Sequence, residues 1–154
     1  AASGDRFGQA QDVMVADLDH FKRINDLYGH ASGDAVLIEA ARRLRENLRS
    51  VDLLARIGGE EFLIVMPATP LSEARIAARR LCRTIGGEGF KVPGSKARID
   101  VTISIGVTMG GMRGLRSASK EAIDANALLD SADKALYEAK VQGRNQVNLY
   151  RPAA

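Results

Sequence analysis

Ile57-Gly58-Gly59-Glu60-Glu61-Phe62 separates two apolar runs, Leu53-Leu54-Ala55 before it and Phe62-Leu63-Ile64-Val65-Met66 from its last residue onward. Runs of that length broken by paired glycines form a β-hairpin. Glycines at a hairpin tip allow a positive φ and the close approach of a bulky ligand. Glu60 and Glu61 are harder to account for. Neither has a basic residue immediately beside it, and neighbouring side chains of a strand point to opposite faces. An acidic pair on a glycine hairpin suits a divalent cation or a proton transfer. Taken alone, an ordinary solvated turn explains it equally well.

A tight hairpin in mid-chain makes its two strands antiparallel and excludes a purely parallel, doubly wound sheet. Upstream, Val13-Met14-Val15-Ala16 has the character of a buried strand and runs into Asp17-Leu18-Asp19. Asp17 then stands at the strand's carboxyl end, a common ligand position in α/β sheets. Phe21, Ile24 and Tyr28 keep helical spacing, and Gly29 stops that short helix as a C′ glycine. A second helix opens after Ser32-Gly33-Asp34, with Asp34 where an N-cap is expected, and runs to about Arg49. Its apolar stripe is Leu37, Ala40, Ala41, Leu44 and Leu48, with Arg42, Arg43, Arg45 and Glu46 on the other side.

Beyond the hairpin, Leu71 to about Ile85 forms a third helix on which Arg75, Arg79 and Arg83 share a face away from the apolar one. Ile99 to Met109 alternates apolar and polar residues as a strand, and a loop covers about Gly110 to Ser119. The last helix, about Asp124 to Val141, buries Ala125, Leu128, Leu129, Ala132, Ala135, Leu136 and Ala139. Gly143 caps it, and Asn145 to Leu149 is a final strand. The order β-α-α-β-β-α-β-α-β predicts an α+β sandwich of ferredoxin-like type.

Composition narrows the function. A chain of 154 residues, 45% hydrophobic and 27% charged, is one globular domain with a real core. No apolar run reaches transmembrane length and no signal peptide opens the chain, so a cytoplasmic domain without membrane contact is expected. Cys82 is the only cysteine, which excludes an internal disulfide and a cysteine zinc cluster. A net charge of +3 gives no argument for nucleic acid but accommodates a small anion. Phosphate-loop, dinucleotide, zinc-protease and serine-hydrolase motifs are absent, and His20 and His30 are the only histidines.

Asp17, Glu60 and Glu61 lie at the ends of strands that can be neighbours. Three converging carboxylates repel unless a cation neutralises them. An all-oxygen set suits Mg²⁺ or Mn²⁺, which arrives with substrate phosphates and serves phosphoryl or nucleotidyl displacement. Lys140 and Arg144 supply positive charge at the end of the last helix, where the helix dipole alone also favours cations. Asn25 and Asp34 flank a helix junction and read, by themselves, as caps.

Asp17-Leu18-Asp19-His20-Phe21-Lys22-Arg23-Ile24-Asn25-Asp26, Tyr28-Gly29-His30, Gly33-Asp34, Gly58-Gly59-Glu60-Glu61-Phe62, Thr102-Ile103-Ser104-Ile105-Gly106-Val107 and Ala132 to Lys140 together resemble the GGDEF domain of bacterial diguanylate cyclases, in its GGEEF variant. The resemblance covers about residues 12 to 149. It implies the palm-type fold of class III nucleotide cyclases, with a mostly antiparallel five-stranded sheet flanked by helices. It also implies a Mg²⁺-dependent condensation of two GTP into cyclic di-GMP. Asp17, Glu61 and the Leu18 carbonyl would hold the metal, and Glu60 would stand beside them as the acid that takes the proton of the attacking hydroxyl. Asn25 and Asp34 would read guanine. His20, Phe21 and Lys22 amides, with Lys140 and Arg144, would grip phosphates, while Gly58 and Gly59 lie against the nucleotide. Each domain would hold one GTP, so a second copy is required.

Arg49-Ser50-Val51-Asp52 resembles the family's RxxD inhibitory motif, at which cyclic di-GMP would bind through Arg49, Asp52 and an arginine of the third helix, Arg79 with Arg80 as the alternative. Without the resemblance, the same motif is a surface ion pair. The domain spans 12–150, with a truncated, flexible edge at 1–11, a tail at 151–154 and an upstream sensory or receiver domain expected. The rival reading is a non-catalytic receptor for cyclic di-GMP or GTP.

Overall fold

The computed structural model describes residues 10–111 and 118–151. Elements follow in the order β1 Ala10–Leu18, α1 Phe21–Tyr28, α2 His30–Glu46, β2 Leu53–Arg56, β3 Glu61–Met66, α3 Leu71–Gly86, β4 Ile103–Gly111, α4 Ala118–Val141 and β5 Val147–Leu149. The five strands form one sheet in the order β2-β3-β1-β4-β5. β1 is antiparallel to both β3 and β4, β2 is antiparallel to β3, and only β5 runs parallel to its neighbour. The expected α+β architecture is therefore the observed one. The expected N-terminal edge and the C-terminal tail fall largely outside the described residues, as does most of the expected 110–119 loop. No helix among the described residues is long and apolar enough to cross a membrane.

Alternation along β1 divides the core. Met14, Ala16 and Leu18 face α2 and α3, where Val36, Leu44, Ala78, Leu81 and Ile85 complete the larger cluster. Val13 and Val15 face Ala132 and Leu136 of α4. α4 lies close on the sheet because β4 carries Gly106: a methyl there would overlap the Ala132 carbonyl oxygen and the Leu136 amide. Fully buried Asp12 breaks the pattern at the start of β1, opposite Met66 and Met109. Among the described residues neither of its carboxylate oxygens has a hydrogen-bond partner, and burial pushes its pKa up to about 6.

Four local expectations are corrected. α2 begins at His30 behind Gly29, so Asp34 sits inside the helix rather than at its N-cap. β4 begins at Ile103 because β1, its partner, ends at Leu18 and turns into α1. The apolar alternation upstream records burial only: Ile99 pairs with Phe90 in an isolated bridge and Val101 is buried. α4 starts earlier than expected, and Ala125 on it is exposed. Arg43, assigned to the solvated side of α2, is 4% exposed. Its guanidinium pairs with Glu39 at 2.8 Å, donates to the Glu88 and Gly89 carbonyls at 2.7 and 2.8 Å, and lies 3.9 Å over the Phe90 ring. It ties α2 to the irregular segment after α3, every donor bond replacing water that burial removes.

Candidate active site

The face of the sheet under α4 is apolar along Val13 and Val15 of β1 and Leu63 and Val65 of β3. At the next position in each alternation stand Asp17 and Glu61, and these two residues are cross-strand partners. The same two-residue period that buries the valines therefore sets both acids side by side at one end of the sheet. The hairpin tip is fixed by the backbone. Ile57 N–H donates to the Glu61 carbonyl at 3.0 Å, and Leu18 N–H donates to the Glu60 carbonyl at 3.2 Å. Glu60 and Glu61 are half-buried, and Asp17 is 6% exposed.

Neither tip glycine has a positive φ, unlike Gly29 and Gly143. The reason for glycine there is room. A methyl on Gly58 would stand 3.3 Å from Glu61 Oε1, and Gly59 has nothing within 4 Å. The tip therefore presents bare backbone on an open side.

Charge in the site is poorly compensated. Burial raises the Asp17 pKa; Lys140 opposes this, and the charges of Glu60 and Asp19 add to it. Burial also raises the Glu61 pKa, reinforced by Asp17 and Asp133. Lys140, in the last turn of α4, holds Asp17 Oδ2 at 2.7 Å. Among the described residues no three acid, histidine or cysteine side chains stand together as a ready metal cluster. Asp17 and Glu61 offer hard oxygen donors whose charged forms a divalent cation would favour, so they fit a cation brought with an anionic ligand better than a resident one.

Asp19, unassigned from sequence alone, organises the other side. It is 4% exposed. Its carboxylate accepts Thr102 Oγ1 and Ser104 Oγ, each at 2.6 Å, and the Asn145 N–H at 3.0 Å. Its own N–H donates to the Thr102 carbonyl at 2.9 Å. Asp19 thereby fastens the end of β1 to β4 and to the turn after α4, where Arg144 and Asn145 take left-handed φ values of 64° and 50°. Arg144 is exposed beside this clasp. The signal was the second acid of Asp17-Leu18-Asp19 together with the hydroxyls of Thr102 and Ser104.

His20 also adopts a left-handed φ, 56°, and starts α1 without a side-chain cap or an acid in the first turn. The Phe21 and Lys22 amides are thus at an uncapped helix start next to the acids. Asn25 of α1 lies against α2 at Gly33, where a methyl would overlap its Oδ1. Exposed Asp34 is one residue further along α2. The structure brings Asn25 and Asp34 to one helix junction, and Asp17, Glu60, Glu61 and Lys140 to one end of the sheet.

At the expected second site, the Arg49 backbone N–H and guanidinium both bind the buried Asp52 carboxylate, at 2.8 Å each, and Arg49 Nη2 donates to Thr69 Oγ1 at 2.6 Å. Arg45 donates to the Asp52 and Arg49 carbonyls and braces the turn. A cavity of about 240 Å³ lies here, lined by Arg49, Asp52, Thr69, Glu73, Ile76 and Arg80. Arg80 is the α3 arginine at this site, and its Nη2 donates to the Asn47 carbonyl at 2.9 Å. Arg79 is not: it lines a separate depression beside β5. One residue is a rotation of ~100° on a helix, enough to exchange the two faces.

Residues 3–146 match the family model described as the diguanylate cyclase GGDEF domain. The chain is 41% identical over 140 residues to the response regulator PleD of Caulobacter vibrioides, covering 91% of this chain and 29% of that protein. It is also 41% identical over 137 residues to diguanylate cyclase A of Treponema denticola, covering 89% of this chain and 34% of that one. The active GGEEF domain of a Vibrio cholerae diguanylate cyclase superposes with a TM-score of 0.81 at 28% identity, over 99% of this chain and 90% of that one. The GGDEF domain of DgcB from Caulobacter crescentus, solved in complex with c-di-GMP, gives 0.83 at 27% identity, over 97% and 82% of the two chains.

Proposed function

This chain belongs to the diguanylate cyclase GGDEF domain family, and from that we propose that it condenses two GTP molecules into cyclic di-GMP. The observation that carries the proposal is the pairing of Asp17 with Glu61 across β1 and β3, with Lys140 on Asp17 and Glu60 at the adjoining tip.

Asp17, Glu61 and the Leu18 carbonyl would hold Mg²⁺ or Mn²⁺, which when bound offsets phosphate charge and polarises the α-phosphorus. Asn25 and Asp34 orient guanine, whose N1–H and amino group donate to a carboxylate while adenine presents a different pattern. The amides of His20, Phe21 and Lys22 and the side chain of Arg144 bind phosphate oxygens. Lys140 exchanges Asp17 for phosphate as the nucleotide enters. Glu60 accepts the proton of the 3′-hydroxyl, whose oxygen then bonds to the α-phosphorus of the other GTP as pyrophosphate leaves. The reciprocal attack closes the ring and releases a second pyrophosphate. Each GTP needs the other's hydroxyl, so two copies must face one another about a two-fold axis.

Product inhibition at Arg49, Asp52 and Arg80 accompanies this reading; the DgcB domain, solved in complex with c-di-GMP, supports binding of the product by a domain of this fold. The relatives are much longer than this chain, so an upstream domain would set how often two copies meet.

The test is incubation with GTP and Mg²⁺ over a range of protein concentrations, with products identified by mass spectrometry. Cyclic di-GMP should form at a specific activity that rises with protein concentration, and Glu60→Gln should abolish it with the fold intact. Absence of product even in a forced dimer, with cyclic di-GMP still bound, would establish a receptor instead.

A further inference from the structure

β5 closes the sheet at one edge. Its ladder bonds to β4 run through the Gln146 carbonyl and the Tyr150 N–H. By the two-residue period, the N–H and C=O groups of Val147 and Leu149 face the open edge. Each face of that edge has its own depression. On the α3 side, one of about 130 Å³ is lined by Arg75, Arg79 and Arg151 along with Val147 and Leu149. On the α4 side, a groove of about 750 Å³ carries Asp133 and Glu138 with Tyr137 and Tyr150, Asp130 paired with Lys134 at 3.7 Å, and Arg151 at its rim, three acids against two cations. Among the described residues, Arg75, Arg79 and Arg151 make no ion pair.

We propose that this edge is a docking site for an extended segment of another protein with acidic residues at every second position, which adds as a further strand next to β5. An added strand satisfies the free backbone groups and sends alternate side chains to opposite faces. Acidic residues at every second position meet the arginines, and lysine or tyrosine between them meets the acidic, aromatic groove. Other occupants fit less well. Two copies pairing β5 to β5 as a continuous antiparallel sheet would set arginine cluster against arginine cluster, a repulsive arrangement. A membrane or a duplex would bring its phosphates to Asp130, Asp133 and Glu138 as well as to the arginines. The groove is walled by α4, the helix that also carries Lys140, yet the site itself uses none of the reacting groups.

The experiment is fluorescence anisotropy of the 154-residue chain with a labelled peptide of alternating glutamate and lysine or tyrosine. Three comparators are an isomer with the glutamates in one block, a peptide N-methylated at alternate residues, and vesicles containing phosphatidylserine. The alternating peptide should bind in a salt-sensitive manner, and Arg79→Glu, an exposed position, should weaken it roughly tenfold or more. The N-methylated peptide should fail because it cannot pair with the edge. Equal binding of the block isomer or the N-methylated peptide would overturn strand addition, as would indifference to Arg79→Glu. Arginine-dependent binding to vesicles but not to the peptide would replace a protein partner with a lipid surface.

Discussion

Asp12→Asn removes a charge from the interior while nearly preserving side-chain shape. The Asp12 carboxyl is fully buried without a hydrogen-bond partner among the described residues, and its pKa is raised from 3.8 to about 6. A shift of that size, at about 1.4 kcal/mol per unit, corresponds to about 3 kcal/mol. The folded protein binds the proton more tightly than the unfolded chain, so ionisation costs stability. The cost is small below the unfolded value near 3.8, grows as pH rises toward the folded value of about 6, and is fully present above it. The assay is urea denaturation of both proteins, followed by far-ultraviolet circular dichroism, at about pH 4 and about pH 7.5. The asparagine amide is itself unpartnered, so the difference at low pH measures that separate cost. Between the two conditions the variant should gain about 2 to 3 kcal/mol relative to the parent. A difference that stays constant with pH refutes the reasoning, as does a carboxyl-carbon NMR titration placing Asp12 at its ordinary value.

Asp19→Ala strips the acceptor from three hydrogen bonds and leaves the half-buried Thr102 and buried Ser104 hydroxyls without it; we expect a loss of roughly 3 kcal/mol in denaturant unfolding, with reduced turnover as the turn bearing Arg144 loosens. Arg80→Ala should weaken cyclic di-GMP binding about tenfold by calorimetry, the loss of one charge-assisted contact, whereas Arg79→Ala should leave it within about twofold. Equal effects would return the second site to the other face of α3. Gly106→Ala drives a methyl into the α4 backbone and should destabilise the domain by about 1–3 kcal/mol or more, read as a lower urea midpoint.

Local alternation and glycine placement made the hairpin, β1 and the junction of Asp17 with Glu61 legible in the sequence, because a two-residue period fixes faces once the partner strand is known. Two features were hidden because they depend on distant partners, and a third because it depends on helix phase. Asp19 takes partners 83, 85 and 126 residues away, and no local pattern encodes them. Arg43 sits among charged neighbours on α2, and only the chain after α3 reveals that it is buried. The choice between Arg79 and Arg80 turned on helix phase, which the apolar stripe of α3 sets too coarsely to separate adjacent residues. Asp34 looked like a cap because aspartate favours that position, yet Gly29 ends one helix and precedes the next.

The central place of β1 has a consequence during synthesis. Leu18 meets Ile103 and Ala10 meets Gly111, so one long side of β1 stays unpaired until most of the chain has left the ribosome. Through that interval Val13-Met14-Val15-Ala16 is an apolar strand with an open edge, the form most prone to intermolecular pairing. Because Lys140 and Asn145 arrive later still, the contacts they make with Asp17 and Asp19 form only after β4 and α4 have been made. A ligand of this end of the sheet can therefore stabilise the folded domain, but it cannot template the assembly of that domain.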